Sequence, residues 1–118
     1  MSEILDAAKT QFRDRLSSGL SQLVVPEWEV NGKPTKIYFK SAMTMKEQGE
    51  VLQLTNTNKQ AESVVMTLII RALDADGKKM FRRAHMTEIM NQLDPDIISR
   101  IVVEMGGGEV DLDDAVKN

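Results

Sequence analysis

The chain has 118 residues, of which 42% are apolar and 28% charged, with no cysteine and a formal net charge of -3. Such a length supports one hydrophobic core and leaves little room for a second. The lack of cysteine excludes disulfides, thiolate metal sites and cysteine nucleophiles, and no stretch approaches the roughly 20 apolar residues of a membrane span. We therefore expect a soluble, unexported protein with one globular domain, residues 1–108, and a mobile acidic tail, residues 109–118.

An amphipathic helix is predicted at the start of the chain. Ser2 is placed to cap it, and Gly19 lies near its end. Its apolar residues recur at spacings of three or four, which is the helical period. They are Ile4, Leu5, Ala8, Phe12, Leu16 and Leu20.

Residues 21–41 change to a period of two and have the β-branched and aromatic content of strands, which predicts an antiparallel hairpin. An Asn31-Gly32 turn is one possible connection. We favour a four-residue loop from Asn31 to Pro34, because it leaves Pro34 outside the strand ladder. This register pairs Val30 with Thr35, Trp28 with Ile37 and Glu29 with Lys36. It also places Trp28, Val30 and Ile37 on the face that packs against the helices.

Two helices are predicted next. The first covers 45–54, with Thr44 as its cap and Glu47 at the capping-box spacing. The second covers 61–73 and is apolar almost all the way round. Such a helix is either the centre of the domain or part of an interface between subunits.

The stretch Asp-Ala-Asp-Gly at 74–77 resembles part of an EF-hand calcium loop. In that alignment the first ligand and the bidentate glutamate would fall at Ala72 and Arg83, so we interpret the stretch as a turn and expect no metal. A helix follows through Met86, Ile89, Met90 and Leu93, and Asp94-Pro95 starts another. The fold class is thus α+β, predominantly helical: an N-terminal helix, one hairpin, about four helices and a short acidic tail.

Catalytic chemistry is poorly represented. The single histidine, His85, is interpreted as a surface residue at a helix start, and the carboxylates at Asp111, Asp113 and Asp114 form a solvated charge run. No phosphate-binding loop is present. We expect no enzyme activity and no cofactor.

The methionine content, together with the helix at 61–73 that is apolar almost all the way round, favours an interaction protein. The chain has 8 methionines against 4% aromatic residues, and methionine either fills core gaps or lines surfaces that accept varied apolar partners. The basic run KKMFRR at 78–83 is either a solvated turn flank or a weak nucleic-acid site, and the acidic balance favours the first interpretation. We expect neither nucleic acid nor a membrane as a partner.

The order of these features resembles the tail assembly chaperones of long-tailed, siphophage-type bacteriophages. The resemblance rests on a leading helix, the strand pair VPEWEVNGKPTKIYFKSAMTMKE, an apolar helix, RALDADGKKMFRRAHMTEIMNQL and an acidic end closing on KN. It covers the chain from about residue 20. One departure is RRAHM after Phe81, where the family has a more acidic helix start.

The resemblance implies a non-catalytic chaperone that binds and solubilises the tape measure protein and helps recruit tail tube subunits. It further implies a homo-oligomer in the cytoplasm of the infected bacterial host that is absent from the mature virion. Our hypothesis for client contact is an adaptable apolar groove formed by Met86, Ile89, Met90, Ile97 and Ile101. Our hypothesis for self-association is the hairpin edge and the apolar helix, through Trp28, Val65, Met66 and Ile69.

Two other functions fit the sequence. A structural virion component, such as a tail or head completion protein, shares this size and composition. A small DNA-binding regulator would use the helix pair around Asp94-Pro95, but only Arg100 is basic within 95–105.

Overall fold

The computed structural model describes residues 2–17 and 19–107. Its helices and strands, in chain order, are α1 (Ser2–Leu16), β1 (Ser21–Val30), β2 (Lys33–Phe39), α2 (Met45–Asn56), α3 (Gln60–Arg71), α4 (Met86–Gln92) and α5 (Pro95–Val102). A 3₁₀ turn precedes α4, and a π-helical turn follows α5. The predicted α+β, mostly helical class is confirmed. The predicted tail, 109–118, lies outside the described residues.

The hairpin turn corrects the register predicted from the sequence. β1 and β2 are joined by the two-residue turn Asn31-Gly32, with φ of 55° and 77°, and Val30 pairs with Lys33. Positive φ at both central residues gives a turn whose twist matches that of the strands. The four-residue loop from Asn31 to Pro34 is therefore wrong, and so are its three pairings.

Strand β1 contains a bulge. Val25 pairs with Thr35 and Glu29 with Pro34, so the three residues between Val25 and Glu29 have no opposing residue on β2. The shift buries Leu23, Val25, Ile37 and Phe39. Of the face predicted to be buried, Ile37 is fully buried, Trp28 is half-buried, and Val30 is 63% exposed.

The segment after α3 extends the hairpin. The Leu73 amide donates to the Tyr38 carbonyl at 2.8 Å, and the Tyr38 amide donates to the Leu73 carbonyl at 2.9 Å. Leu73 also forms a bridge with Lys79 on its other side. These bonds satisfy backbone groups at the edge of β2 and hold the chain beside the end of α3.

Helix α3 lies at the centre of the domain, which is one of the two alternatives left by its sequence. Leu68 is fully buried and Ile69 is 2% exposed, and α3 packs against α2, α4 and α5. Burying a leucine of this kind stabilises the fold by about 1.5–3 kcal/mol. Its polar Thr67 is also buried, and its hydroxyl donates to the Ser63 carbonyl at 3.0 Å.

The predicted starts of α2 and α5 are confirmed. The Thr44 hydroxyl accepts from the Glu47 amide at 3.1 Å, and the Glu47 carboxylate accepts from the Thr44 amide at 2.9 Å, which is a capping box. At α5, the Asp94 carboxylate accepts from the Asp96 amide at 2.9 Å, with proline in the first turn.

Helix α1 forms as predicted but buries none of its residues. Its C-terminal end is attached to the domain at Ser41, whose hydroxyl donates to the Arg15 carbonyl at 3.0 Å. Hydrophobic packing therefore contributes little to holding α1 in place. None of the helices in the described ranges is both long and apolar enough to cross a membrane.

Candidate interaction surfaces

An exposed apolar stripe on α1 is the first candidate surface. Ile4 is 80% exposed and Leu5 is 54% exposed, whereas Phe12 and Leu16 farther along are half-buried. Ala8, which lies between Leu5 and Phe12 in the sequence, is also exposed. We call Ile4, Leu5 and Ala8 the α1 stripe. Periodicity reveals such a stripe, but it does not reveal that the other described residues leave it exposed.

The predicted client-contact residues lie on α4 and α5 with different exposure. Ile89 is 4% exposed and Ile101 is fully buried, so both belong to the core. Met86, Met90 and Ile97 are half-buried and pack against that core. Client contact by this set stays a prediction, and these last three side chains are the ones that a partner could reach.

The predicted self-association residues also differ in their exposure to solvent. Val65 is 5% exposed and Ile69 is 2% exposed, and both pack in the core. Trp28 and Met66 are half-buried. Self-association stays a prediction, with Trp28 and Met66 as its accessible members.

Trp28 also belongs to an aromatic cluster that the sequence analysis missed. Its ring meets that of Phe81 edge-on, with centroids 6.4 Å apart. The Phe81 ring in turn meets the His85 ring at 6.4 Å, and the His85 Nδ1 atom accepts from the Arg82 amide at 3.0 Å. The histidine thus has a structural role at the helix start. The long sequence separation of Trp28 from the other two concealed the cluster.

The bulge in β1 is connected to α5 by an ion pair. Both Arg100 guanidinium nitrogens donate to the Glu27 carboxylate, at 2.7 and 2.8 Å. These hydrogen bonds, with a further one from the Glu27 backbone, lower the pKa of Glu27 from 4.5 to about 2. The bonds to Glu27 also raise the pKa of Arg100. Both side chains are about two-fifths exposed, 43% and 40%, so solvent screens the pair.

The Asp-Ala-Asp-Gly stretch is a turn, as predicted. The Gly77 amide donates to the Asp74 carbonyl at 2.9 Å, and Gly77 has a φ of 82°. The Asp74 carboxylate accepts from the amides of Asp76 and Lys78, at 2.9 and 3.0 Å. Within the described part of the chain, no three acidic or histidine side chains are grouped so that they could hold a metal ion.

Comparison with solved structures shows a similar fold in a phage protein. The structure of the bacteriophage HK97 tail assembly chaperone matches with a TM-score of 0.57, over 80% of this chain and 94% of that chain, at 16% sequence identity. This chain shares its fold with that chaperone. No protein-family model matches the sequence, and no curated protein matches it. The resemblance to tail assembly chaperones is therefore confirmed at the level of fold.

Proposed function

We propose that this protein is a non-catalytic tail assembly chaperone of a long-tailed bacteriophage. The observation that supports this most strongly is the fold shared with the HK97 tail assembly chaperone over 80% of the chain. Shared fold alone does not establish function, but here the order of sequence features and the fold point to the same class of protein. In this proposal the chain acts through contact surfaces and needs no cofactor.

We propose the tape measure protein as the client. A long apolar-rich helical chain needs its hydrophobic side chains covered until the tail tube surrounds it, and an amphipathic helix with an uncovered stripe can pair with such a segment. The α1 stripe provides this surface. Met86, Met90 and Ile97 are a second one, since methionine side chains adapt to different apolar partners.

The proposed chaperone role also includes an oligomeric state, a second partner and a place of action. The chain forms a homo-oligomer, with Trp28 and Met66 as accessible contacts, and helps bring tail tube subunits to the client. It works in the cytoplasm of the infected host and leaves before the virion is complete. Nucleic acid and membranes are not partners in this scheme.

Co-expression with the tape measure protein of the same phage tests the central claim. We expect a soluble complex when this chain is present and insoluble client when it is absent, and light scattering of the purified complex gives its stoichiometry. A client that stays insoluble beside soluble, unbound chain would contradict the proposal.

Mass spectrometry of purified virions tests the last step. A chaperone that leaves should be missing from the mature particle while the tape measure and tube proteins are detected. Stoichiometric recovery of this chain from virions would instead favour the structural virion component.

A further inference from the structure

The tip of the hairpin exposes an asparagine that is followed by glycine. Asn31 and Gly32 are the two central residues of the turn between β1 and β2, and both are exposed. Their φ angles are 55° and 77°, as a tight hairpin turn requires. The space beside the Gly32 α-carbon is open, because a methyl group added there would meet no atom within 4 Å. A side chain at position 32 therefore does not hinder reactions at its amide.

The backbone amide of Gly32 has no hydrogen-bond acceptor among the described residues. The strand ladder closes through Val30 and Lys33, so Gly32 lies outside it. The Asn31 side chain likewise has no hydrogen-bond partner within the described ranges. Because nothing in this part of the chain holds the Gly32 proton or fixes the Asn31 carboxamide, solvent can reach the first and the second can turn towards the backbone.

The other described asparagines lack this arrangement. Asn58 resembles Asn31 in being exposed and in having a positive φ, 63°. However, the amide that follows it, that of Lys59, donates to the Leu54 carbonyl at 2.8 Å, and Lys59 has a side chain. The amide that follows Asn56 donates to carbonyls of α2, and Asn91 lies inside α4. Of these asparagines, Asn31 alone combines a following glycine with a free amide.

We propose that Asn31 is a site of spontaneous deamidation in the folded protein, with the Gly32 amide as the nucleophile. Solvent base removes the proton of this amide, and its nitrogen attacks Cγ of the Asn31 side chain. A bond forms between the Gly32 nitrogen and Cγ, the bond between Cγ and Nδ2 breaks, and Nδ2 takes up protons from water and leaves as ammonia. The product is a succinimide ring that joins the side chain to the main chain.

Water then opens the ring at either of its two carbonyl carbons. Addition at Cγ breaks the bond between Cγ and the Gly32 nitrogen, which gives aspartate. Addition at the backbone carbonyl carbon breaks its bond to the same nitrogen, which gives isoaspartate, whose main chain runs through the former side chain. The whole sequence consumes water, releases ammonia and adds one negative charge, with no change in oxidation state. This inference does not depend on the proposed function.

The two products differ in their effect on the hairpin. Aspartate followed by glycine suits a two-residue turn as asparagine does, so the pairing of Val30 with Lys33 is kept. Isoaspartate adds a methylene group to the main chain within the turn, so the turn no longer sets this register. The adjacent pairing of Glu29 with Pro34 is then weakened. Deamidation thus changes the end of β1 that lies next to Trp28.

Incubation of the full-length protein in mildly alkaline buffer tests the site. We expect the peptide with Asn31 to gain the mass difference between an amide and an acid, while the peptides with Asn58 and Asn91 stay unchanged. A more acidic form should appear on anion exchange, and a protease that cleaves at aspartate but not at isoaspartate measures the two products. Asn31→Gly is the matched control, because Gly-Gly also forms this turn, and its hairpin peptide should keep its mass. No mass gain at Asn31 in the folded protein would overturn the proposal.

A second variant separates the effect of the structure from that of the sequence. Lys59→Gly gives Asn58 a following glycine as well, while the amide at position 59 keeps the Leu54 carbonyl as its acceptor. In the folded variant, Asn31 should still convert several-fold faster than Asn58. In urea, where neither the turn nor the helix persists, the two asparagines should convert at similar rates. Equal rates in the folded variant would contradict the role of the free Gly32 amide.

Discussion

Glu27 and Arg100 show how one ion pair connects two elements. Glu27 lies in the β1 bulge and Arg100 on α5, and they share two hydrogen bonds. Because the pair lowers the pKa of Glu27 from 4.5 to about 2, its stabilisation is fully present above about pH 5. It is lost as the pH falls through about 2, where the folded protein binds the proton.

A Glu27→Gln substitution tests this pH dependence. We expect the variant to be less stable than the wild type at pH 7 and the difference to vanish as the pH falls from about 5 to about 2, the range bounded by the two pKa values. Urea unfolding across this range measures it. Glu29→Gln, at an exposed position on the same strand, is the matched control. A difference that is constant with pH would exclude the ion pair as its cause.

Thr44 is a second residue with a defined energetic role, because its hydroxyl completes the capping box of α2. Thr44→Ala should lower the free energy of unfolding by about 1 kcal/mol, as loss of an N-cap generally does. The double variant with Glu47→Ala should cost less than the sum of the single changes, since the two bonds stabilise the same conformation. Urea unfolding of all four proteins measures this coupling. Strict additivity would show that the two bonds act independently.

At the scale of elements, the backbone conformation of the hairpin turn requires glycine, whereas the backbone of helix α2 does not. Gly32 has a φ of 77°, in the left-handed region, and Gly49 lies within α2. A methyl group added at either position would meet no atom within 4 Å. Backbone conformation alone therefore decides what each substitution to alanine does.

The two glycines should respond with opposite signs. Gly32→Ala should destabilise the protein by about 1 kcal/mol, because an L-residue is strained in the left-handed region. Gly49→Ala should stabilise it by up to about 1 kcal/mol, because alanine is the better helix former. Thermal unfolding of both variants checks this. A shift of the same sign in both would contradict the conformational argument.

Local chemistry explains which elements could be predicted from the sequence. Thr44 with Glu47 and Asp94 with Pro95 act within one helical turn, so the residues themselves indicated both starts. The hairpin register could not be predicted in this way, because the bulge after Val25 shifts the pairing of the strands and its Glu27 pairs with Arg100, which is 73 positions away in the sequence. The cluster of Trp28 and Phe81 likewise joins residues that only the tertiary fold brings together.

On the scale of the whole molecule, the core and the candidate surfaces are largely separate. The core comprises the inner face of the hairpin and buried residues of α3, α4 and α5, and it includes Ile89 and Ile101 from the predicted client set. The α1 stripe lies outside it. Changes on α1 can therefore alter binding without removing core contacts, which a substitution at Ile101 could not do.

The double variant Ile4→Asp/Leu5→Asp uses this separation to test the client surface. Because both side chains are exposed, the melting temperature should stay close to that of the wild type, as for most surface substitutions. Two carboxylates on the α1 stripe should prevent an apolar helix from packing there, so co-expressed tape measure protein should remain insoluble. Thr10→Asp/Arg13→Gln is the matched control, because it changes the net charge by the same amount at exposed positions on the other side of the helix, and it should still solubilise the client. If both variants solubilise the client equally well, the α1 stripe is not the binding surface, and Met86, Met90 and Ile97 become the next positions to change.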